Sequence, residues 1–172
     1  MQNFFSYQII VDNLPQGEQR YRLTADAEDC AKIKDILKIP GVNGFSADIR
    51  LKFNRKEHLL KVWGRAEASL ELESVVSLEV FSKDYAADFD LLYDTEATLK
   101  SQREEEEEIT ISDNIPDVII NGRLDLADLA IEQIALIMED YPRKEGEVFA
   151  FKSEFSPEDD RKNPFEVLKK LK

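Results

Sequence analysis

Residues 45–53 read FSADIRLKF, and this stretch decides the fold. Apolar side chains stand at every odd position from Phe45 to Phe53, with polar or charged side chains between them. Successive side chains of a β-strand point to opposite faces of its sheet, so strict alternation predicts a strand with one buried and one solvated face. A similar alternation extends from Val42 to about Tyr93, which predicts several neighbouring strands of this kind.

Further strands are predicted on both sides of this stretch. Residues 58–68 form a second alternating run after a charged turn, and residues 70–80 form a third. Nearer the N-terminus, residues 4–12 and 19–25 read as short strands on either side of a turn that contains proline and glycine. We therefore expect an antiparallel sheet or a partly closed barrel.

Two segments have the period of an amphipathic helix. Residues 26–38 place apolar side chains on one stripe and end at Pro40-Gly41. Residues 125–138 form the clearest helix, because apolar side chains recur along one face and Asp125 can cap its first turn. Leu136 widens the apolar surface, so we expect this helix to be well buried. The fold class is therefore predicted to be α+β, with two main helices packed against the sheet and an extended C-terminal tail.

The chain is expected to form one α+β domain over residues 1–142, followed by an extended tail over residues 143–172. Residues 99–108 are predicted to form a flexible acidic loop, because they end in five consecutive glutamates whose like charges repel one another. The tail has few periodic apolar positions before Asn163, which can cap a short terminal helix with Pro164 at its first position.

The composition limits the classes of protein to which the chain can belong. Asp and Glu outnumber Lys and Arg by 36 to 23, and the formal charge of −13 argues against non-specific nucleic-acid binding. A local basic surface is still compatible with this charge. Cys30 is the sole cysteine, so no disulfide can form within the chain. With no signal-peptide pattern and no apolar run of about 20 residues, we expect a cytoplasmic protein.

No combination of residues predicts catalysis or a bound cofactor. His58 is the only histidine and lies where the predicted charged turn enters the second strand, while Cys30 lies on the apolar stripe of the first helix. The glycines are isolated and form no phosphate-binding loop. Gln133 lies on the apolar stripe of the second helix and is interpreted as a structural hydrogen-bonding residue. We therefore expect no enzyme activity, no metal and no cofactor.

Two groups of residues are candidates for contact with a partner. Basic side chains cluster on the polar face of the 45–53 strand and its following turn, and again near the C-terminus. An ordinary solvated surface is the alternative for the sheet face, and an exposed loop without a dedicated partner is the simpler interpretation of the glutamate run. The candidates for RNA or partner contact are Arg50, Lys52, Arg55, Lys56, Asn163, Pro164, Phe165, Lys169 and Lys170, and those for contact with a basic partner are Glu104, Glu105, Glu106, Glu107 and Glu108.

The C-terminal third carries a family resemblance. The sequence LDLADLAIEQIAL at residues 124–136, followed by Tyr141-Pro142-Arg143, resembles the conserved helix of the YceD family. These are bacterial and plastid proteins named for accumulation of the large ribosomal RNA subunit. The ending Asn163-Pro164-Phe165, followed by LKKL at residues 168–171, is similar to the ending of that family.

The chain departs from the family pattern at one place. Many members carry a Cys-x-x-Cys pair in the middle strand, whereas this chain has Ser74 and Ser77 at the matching positions. Serine hydroxyls are poor zinc ligands compared with thiolates, so a metal or thiol role of that pair is not expected here. We expect hydrogen bonding or strand packing to hold this turn instead.

The resemblance implies a non-enzymatic ribosome-biogenesis factor that promotes accumulation or processing of large-subunit ribosomal RNA. The partner would be that rRNA, its precursor, an assembly intermediate, or a ribosomal protein or assembly factor, and no membrane is implied. The acidity of the chain leaves a second class open, an acidic chaperone or adaptor for a basic ribosomal protein. An enzyme with a carboxylate cleft is a third class. The sequence leaves the oligomeric state open.

Overall fold

The computed structural model describes residues 5–96 and 116–148 and confirms an α+β fold. Helices and strands alternate unevenly along the chain, with three long strands in the middle. In chain order the elements are β1 (Gln8–Ile10), a 3-10 turn (Val11–Asn13), β2 (Glu18–Thr24), α1 (Ala27–Leu37), β3 (Gly41–Asn54), β4 (Leu59–Glu73), β5 (Val80–Asp94), β6 (Asp117–Val118), a second 3-10 turn (Ile120–Gly122), β7 (Arg123–Asp125) and α2 (Leu126–Ile137).

The main sheet is open and has the strand order β2-β3-β4-β5-β6. Neighbouring strands are antiparallel, except that the short β6 pairs in parallel with the end of β5. Strands β1 and β7 form a separate antiparallel pair. Of the two expected forms, the antiparallel sheet is therefore confirmed and the partly closed barrel is not formed by the described residues.

The third predicted strand was placed wrongly. Residues 70–80 do not form one strand: β4 continues to Glu73, a turn follows, and β5 starts only at Val80. The Ser74 amide donates to the Glu79 carbonyl at 2.9 Å, and Leu78 adopts a left-handed backbone conformation with φ of 61°. Apolar Val76 and Leu78 lie in the turn yet continue the period of two, which is why the alternation hid the chain reversal.

One face of the sheet forms the hydrophobic core. Ile49 and Leu51 of β3, together with Val62 of β4, are fully buried on this face. Helix α1 packs on β3 and helix α2 packs on β4 and β5, so both helices cover the same apolar surface. The opposite surface, here called the outer face, carries the side chains Glu18, Arg20, Arg22, Asp48, Arg50, Lys52, Lys61, Trp63, Arg65, Glu67, Asp88 and Asp90.

At Gly64 of β4 the backbone of β3 occupies the space that a side chain would need. A Cβ atom at this position would lie 2.2 Å from the carbonyl oxygen of Asp48, far inside van der Waals contact. Gly64 stands opposite Ile49 on β3 and Phe89 on β5. A glycine at this position therefore allows the two central strands to pair without a steric clash.

Asp125 joins the N-terminal segment to the start of α2. Its carboxylate accepts hydrogen bonds from the backbone amides of Ala127 at 3.0 Å and Asp128 at 3.3 Å, which confirms the predicted helix cap. The same carboxylate accepts the Tyr7 amide at 2.9 Å and the hydroxyl of Ser6. One side chain thus satisfies the first amides of the helix and also fastens the chain that enters β1.

The two helices have close to their predicted limits, but they are less buried than expected. Helix α1 has the expected start at Asp26, but Cys30 is partly exposed. Helix α2 ends at Ile137, and Leu136 is 71% exposed, so the expectation that the whole helix is well buried was wrong for its last turn. Leu136 lies on the side of α2 that faces away from the sheet. Gln133 is partly buried, and its interpretation as a structural hydrogen-bonding residue stays a prediction.

Several predictions concern parts of the chain outside the described residues. These are the acidic loop at residues 99–108 and the tail from residue 149 onward. The division of the chain at residue 142 accordingly stays a prediction. No helix within residues 5–96 or 116–148 is long and apolar enough to cross a membrane.

Asp125→Ala should lower the free energy of unfolding by about 2 kcal/mol, because it removes a helix cap and leaves the Tyr7 amide without its acceptor. Asp125→Asn keeps one acceptor oxygen and should cost less than the alanine variant. Urea unfolding followed by circular dichroism measures both values. An unchanged stability for Asp125→Ala would contradict the role of this carboxylate in joining the two segments.

Candidate functional site

The middle of the outer face is neutralised by ion pairs between strands. Arg20 and Arg22 of β2 both donate to the carboxylate of Asp48 on β3, through their Nε atoms at 2.8 and 3.3 Å. The Arg20 guanidinium, followed by that of Arg22, lowers the pKa of Asp48 to about 2. Arg65 of β4 bridges Glu67 at 2.8 Å and Asp88 at 3.2 Å. This part of the face has little net charge to offer to a partner.

One end of the outer face is more basic. Lys52 of β3 and Lys61 of β4 stand directly opposite each other in the strand register. Like charges at such positions destabilise a sheet, so this pair is not explained by stability. The Lys61 ammonium lies 2.9 Å from the carboxylate of Asp90, whereas Lys52 has no ion-pair partner among the described residues. Glu18 of β2 stands opposite Lys52 on its other side, so each exposed ammonium group has one carboxylate neighbour, and of the two lysines only Lys61 forms an ion pair among the described residues.

An aromatic side chain lies beside these lysines. Trp63 is partly exposed on the outer face and stands opposite Arg50 in the register. The Lys61 ammonium lies 5.9 Å from the centroid of the Trp63 ring, within the range of a cation–π interaction. Arg50 has one carboxylate neighbour, Glu18, at 3.5 Å. We call Arg50, Lys52, Lys61 and Trp63 the basic–aromatic patch.

The structure separates the four predicted contact residues of the sheet into two kinds. Arg50 and Lys52 lie together in the basic–aromatic patch. Arg55 instead donates to the backbone carbonyls of Asp12 at 3.2 Å and Leu14 at 2.9 Å, so its guanidinium holds the segment between β1 and β2. Lys56 lies in the exposed turn between β3 and β4. Whether any of these side chains contacts RNA stays a prediction.

The other predicted contact residues lie outside the described residues. The two groups are the C-terminal set and the glutamate run. They comprise Asn163, Pro164, Phe165, Lys169, Lys170, Glu104, Glu105, Glu106, Glu107 and Glu108.

Sequence reasoning missed Lys61 and Trp63. Their position on the polar side of an alternating strand was visible, because Leu60 and Val62 flank them on the apolar side. The register that brings them beside Lys52 could not be predicted, because the alternation within one strand does not determine which residues of the next strand it pairs with. A tryptophan at a polar position of an amphipathic strand was the signal available.

The turn between β4 and β5, residues 74–79, is held by a carboxylate. Ser74 is fully buried, and the hydroxyls of Ser74 and Ser77 donate to the two carboxylate oxygens of Glu147. The Ser74 oxygen also accepts the Val76 amide at 3.1 Å. Hydrogen bonds from Ser74 and then Ser77 lower the pKa of Glu147. The expectation that hydrogen bonding holds this turn in place of the cysteine pair is confirmed.

Further contacts fasten the segment after α2 to the same turn. The Val75 amide donates to the Pro142 carbonyl at 3.0 Å, and the Lys144 ammonium lies 3.0 Å from the carboxylate of Glu79. Within the part of the chain that the structure describes, no three His, Cys, Asp or Glu side chains form a group that could hold a metal ion. This turn is consequently built from hydrogen bonds and one ion pair.

The fold and its surfaces define an α+β protein with helices on one face of an open sheet and charged side chains on the other. Residues 62–172 match the family model described as large ribosomal RNA subunit accumulation protein YceD. The match covers more than half of the chain, so the chain belongs to the YceD family, as its C-terminal third predicted. No curated protein and no solved structure matches the chain.

The family match begins at residue 62, within β4, so it includes only part of the basic–aromatic patch. Trp63, the turn at residues 74–79 and helix α2 lie inside the match, whereas Arg50 and Lys52 precede it. The family description names the accumulation of the large ribosomal RNA subunit and names no reaction.

Glu147→Gln should loosen the turn at residues 74–79, because an amide can accept only one of the two serine hydroxyls. The pKa of Glu147 is lowered in the folded chain from its usual value of 4.5. Ionised Glu147 therefore stabilises the turn fully above pH 4.5, and this contribution is lost as the pH falls from 4.5 towards the lower folded-state pKa.

Amide hydrogen exchange at Val75 and Leu78, expressed as protection factors, measures this effect between about pH 6 and about pH 3. Protection should fall with pH in the unsubstituted protein and should be lower, and less dependent on pH, in Glu147→Gln. Glu145→Gln is the matched control, because Glu145 is an exposed carboxylate two residues away. Equal protection factors in the two variants would contradict the role of Glu147 in holding the turn.

Proposed function

We propose that this protein is a non-enzymatic, cytoplasmic ribosome-biogenesis factor that promotes accumulation or processing of large-subunit ribosomal RNA. Membership of the YceD family, with its description, carries the proposal. We further propose that the protein acts by binding the rRNA, its precursor or an assembly intermediate, and that the basic–aromatic patch is the contact surface.

The charges of the patch support RNA as the ligand. Arg50, Lys52 and Lys61 project from two neighbouring strands into solvent, and RNA phosphates are bound by such side chains with release of counterions. The ion pair between Lys61 and Asp90 is exposed on both sides: the Lys61 side chain is 52% exposed and that of Asp90 is 63% exposed. Ion pairs this exposed stabilise a protein by at most about 1 kcal/mol, so a phosphate can replace the carboxylate.

The formal charge of −13 is compatible with a local RNA contact. At physiological salt the screening length is about 8 Å, so distant carboxylates act weakly on a phosphate that touches the patch. The acidic remainder of the chain opposes wrapping of RNA around other surfaces. We infer a small contact area whose strength depends on salt.

The proposal is tested by Lys52→Gln/Lys61→Gln. Titrations of labelled large-subunit rRNA fragments at several salt concentrations give the slope of log affinity against log salt. Loss of two phosphate contacts should weaken binding and make this slope shallower by about 1.4 if the contacted RNA is single-stranded. Arg55 is left intact, because its contacts hold Asp12 and Leu14.

Lys34→Gln/Arg143→Gln is the matched control, because it removes the same charge at exposed positions away from the patch. It should leave the slope unchanged. Equal slopes for both double variants would show that the patch is the wrong surface. Absence of rRNA binding by the unsubstituted protein would contradict the proposed binding function.

A second function, an adaptor for a basic ribosomal protein, is favoured by the net negative charge of the chain. A pull-down with and without ribonuclease separates the two functions. RNA binding requires that large-subunit rRNA is recovered and that ribonuclease removes the accompanying ribosomal proteins. A ribonuclease-resistant complex with a basic ribosomal protein, lost when Glu104–Glu108 become glutamine, would support the adaptor instead.

A further inference from the structure

Trp63 lies on the solvated face of the sheet, where the packing of the core does not require an aromatic side chain. Val62, the residue before it, is buried in the core, but the indole lies on the outer face, among charged side chains. Tryptophan is the side chain with the largest apolar surface, and on this face the Trp63 ring stays partly exposed. No other residue of the outer face in the described strands is aromatic.

The ring is surrounded by cations on two sides. Arg50 stands directly across the strand pair from Trp63, and Lys61 is two residues away on the same strand, about 7 Å along it. Lys52 lies opposite Lys61. Asp90 on β5 is the one residue paired with Trp63 from the other side. Cations therefore lie to one side of the ring and along its strand, where a chain of phosphates can pass.

We propose that Trp63 is a stacking platform for an unpaired base of RNA, with Lys52, Lys61 and Arg50 binding the phosphates that flank this base. The inference rests on the proposed function and specifies its ligand as single-stranded RNA. Every base has a flat π-face, so stacking on an aromatic ring accepts different sequences. Bases inside a duplex are already stacked and do not reach a side chain on a sheet surface.

The contacts of Lys61 allow its ammonium group to move from a carboxylate to an RNA phosphate. The Lys61 ammonium lies near the Trp63 ring at 5.9 Å and near Asp90 at 2.9 Å, and its side chain is half-exposed and unbranched. On binding, the ammonium moves from the carboxylate to a phosphate and the ring becomes available to a base. The Asp90 carboxylate that Lys61 leaves is 63% exposed and is solvated by water, so no charge is buried without a partner.

The single tryptophan makes the proposal directly measurable, because all indole fluorescence of the chain comes from Trp63. The full-length protein is titrated with a short single-stranded oligoadenylate and with an RNA duplex of the same length. Stacking should quench the fluorescence with the single strand and not with the duplex. The affinity of the single strand is measured in parallel by the anisotropy of a label on the RNA.

Trp63→Ala should weaken binding of the single strand by about ten- to a hundredfold, the usual effect of removing one stacked base contact. Trp63→Phe keeps a π-face and should retain most of the affinity. Tyr141→Ala is the matched control, because Tyr141 is an aromatic residue that is 75% exposed beside the opposite end of β5. It should bind like the unsubstituted protein.

The outcomes separate the two levels of the proposal. RNA binding with unchanged fluorescence, and with equal affinity of Trp63→Ala, would overturn the stacking role and leave the proposed function standing. An equal loss in Tyr141→Ala, or equal quenching by the duplex, would also overturn it. If the unsubstituted protein bound neither these RNAs nor large-subunit rRNA, the proposed function would fail as well. Urea unfolding midpoints of all variants confirm that each is folded.

Discussion

The fixed register of three long antiparallel strands is the constraint on which the rest of the structure depends. Along β3, β4 and β5 each side chain belongs to one of two faces, and a slip of one residue would exchange the faces. The apolar face requires both helices to cover it, which leaves the opposite face solvated. Near the middle of β4 this pairing requires a glycine at Gly64, because any side chain there would meet the backbone of Asp48.

The same register assembles the proposed site. Lys52 and Lys61 meet because β3 and β4 pair as they do, and Trp63 faces Arg50 for the same reason. The core therefore both stabilises the molecule and positions a surface that makes no use of the core's side chains. The turn at the other end of β4 illustrates a different solution, in which a carboxylate more than 65 residues away fastens two serine hydroxyls.

What the sequence could predict depended on how local the cause is. The strand at residues 45–53, both helices and the Asp125 cap follow from patterns within a few residues, and they were predicted. The reversal after Glu73 was missed, because the apolar side chains of the turn keep the alternation of a strand. Trp63 as part of a patch and Glu147 as a clamp depend on contacts between distant segments, which no local pattern records.

The central claim is that the outer face of the sheet contacts large-subunit rRNA. Ultraviolet crosslinking in cells, followed by mass spectrometry of the crosslinked peptides and sequencing of the RNA, tests it most directly. We predict crosslinks between large-subunit rRNA and peptides of β3 and β4, with Trp63 among the modified residues. Crosslinks confined to peptides outside the outer face, or to RNA other than that of the large subunit, would contradict the claim.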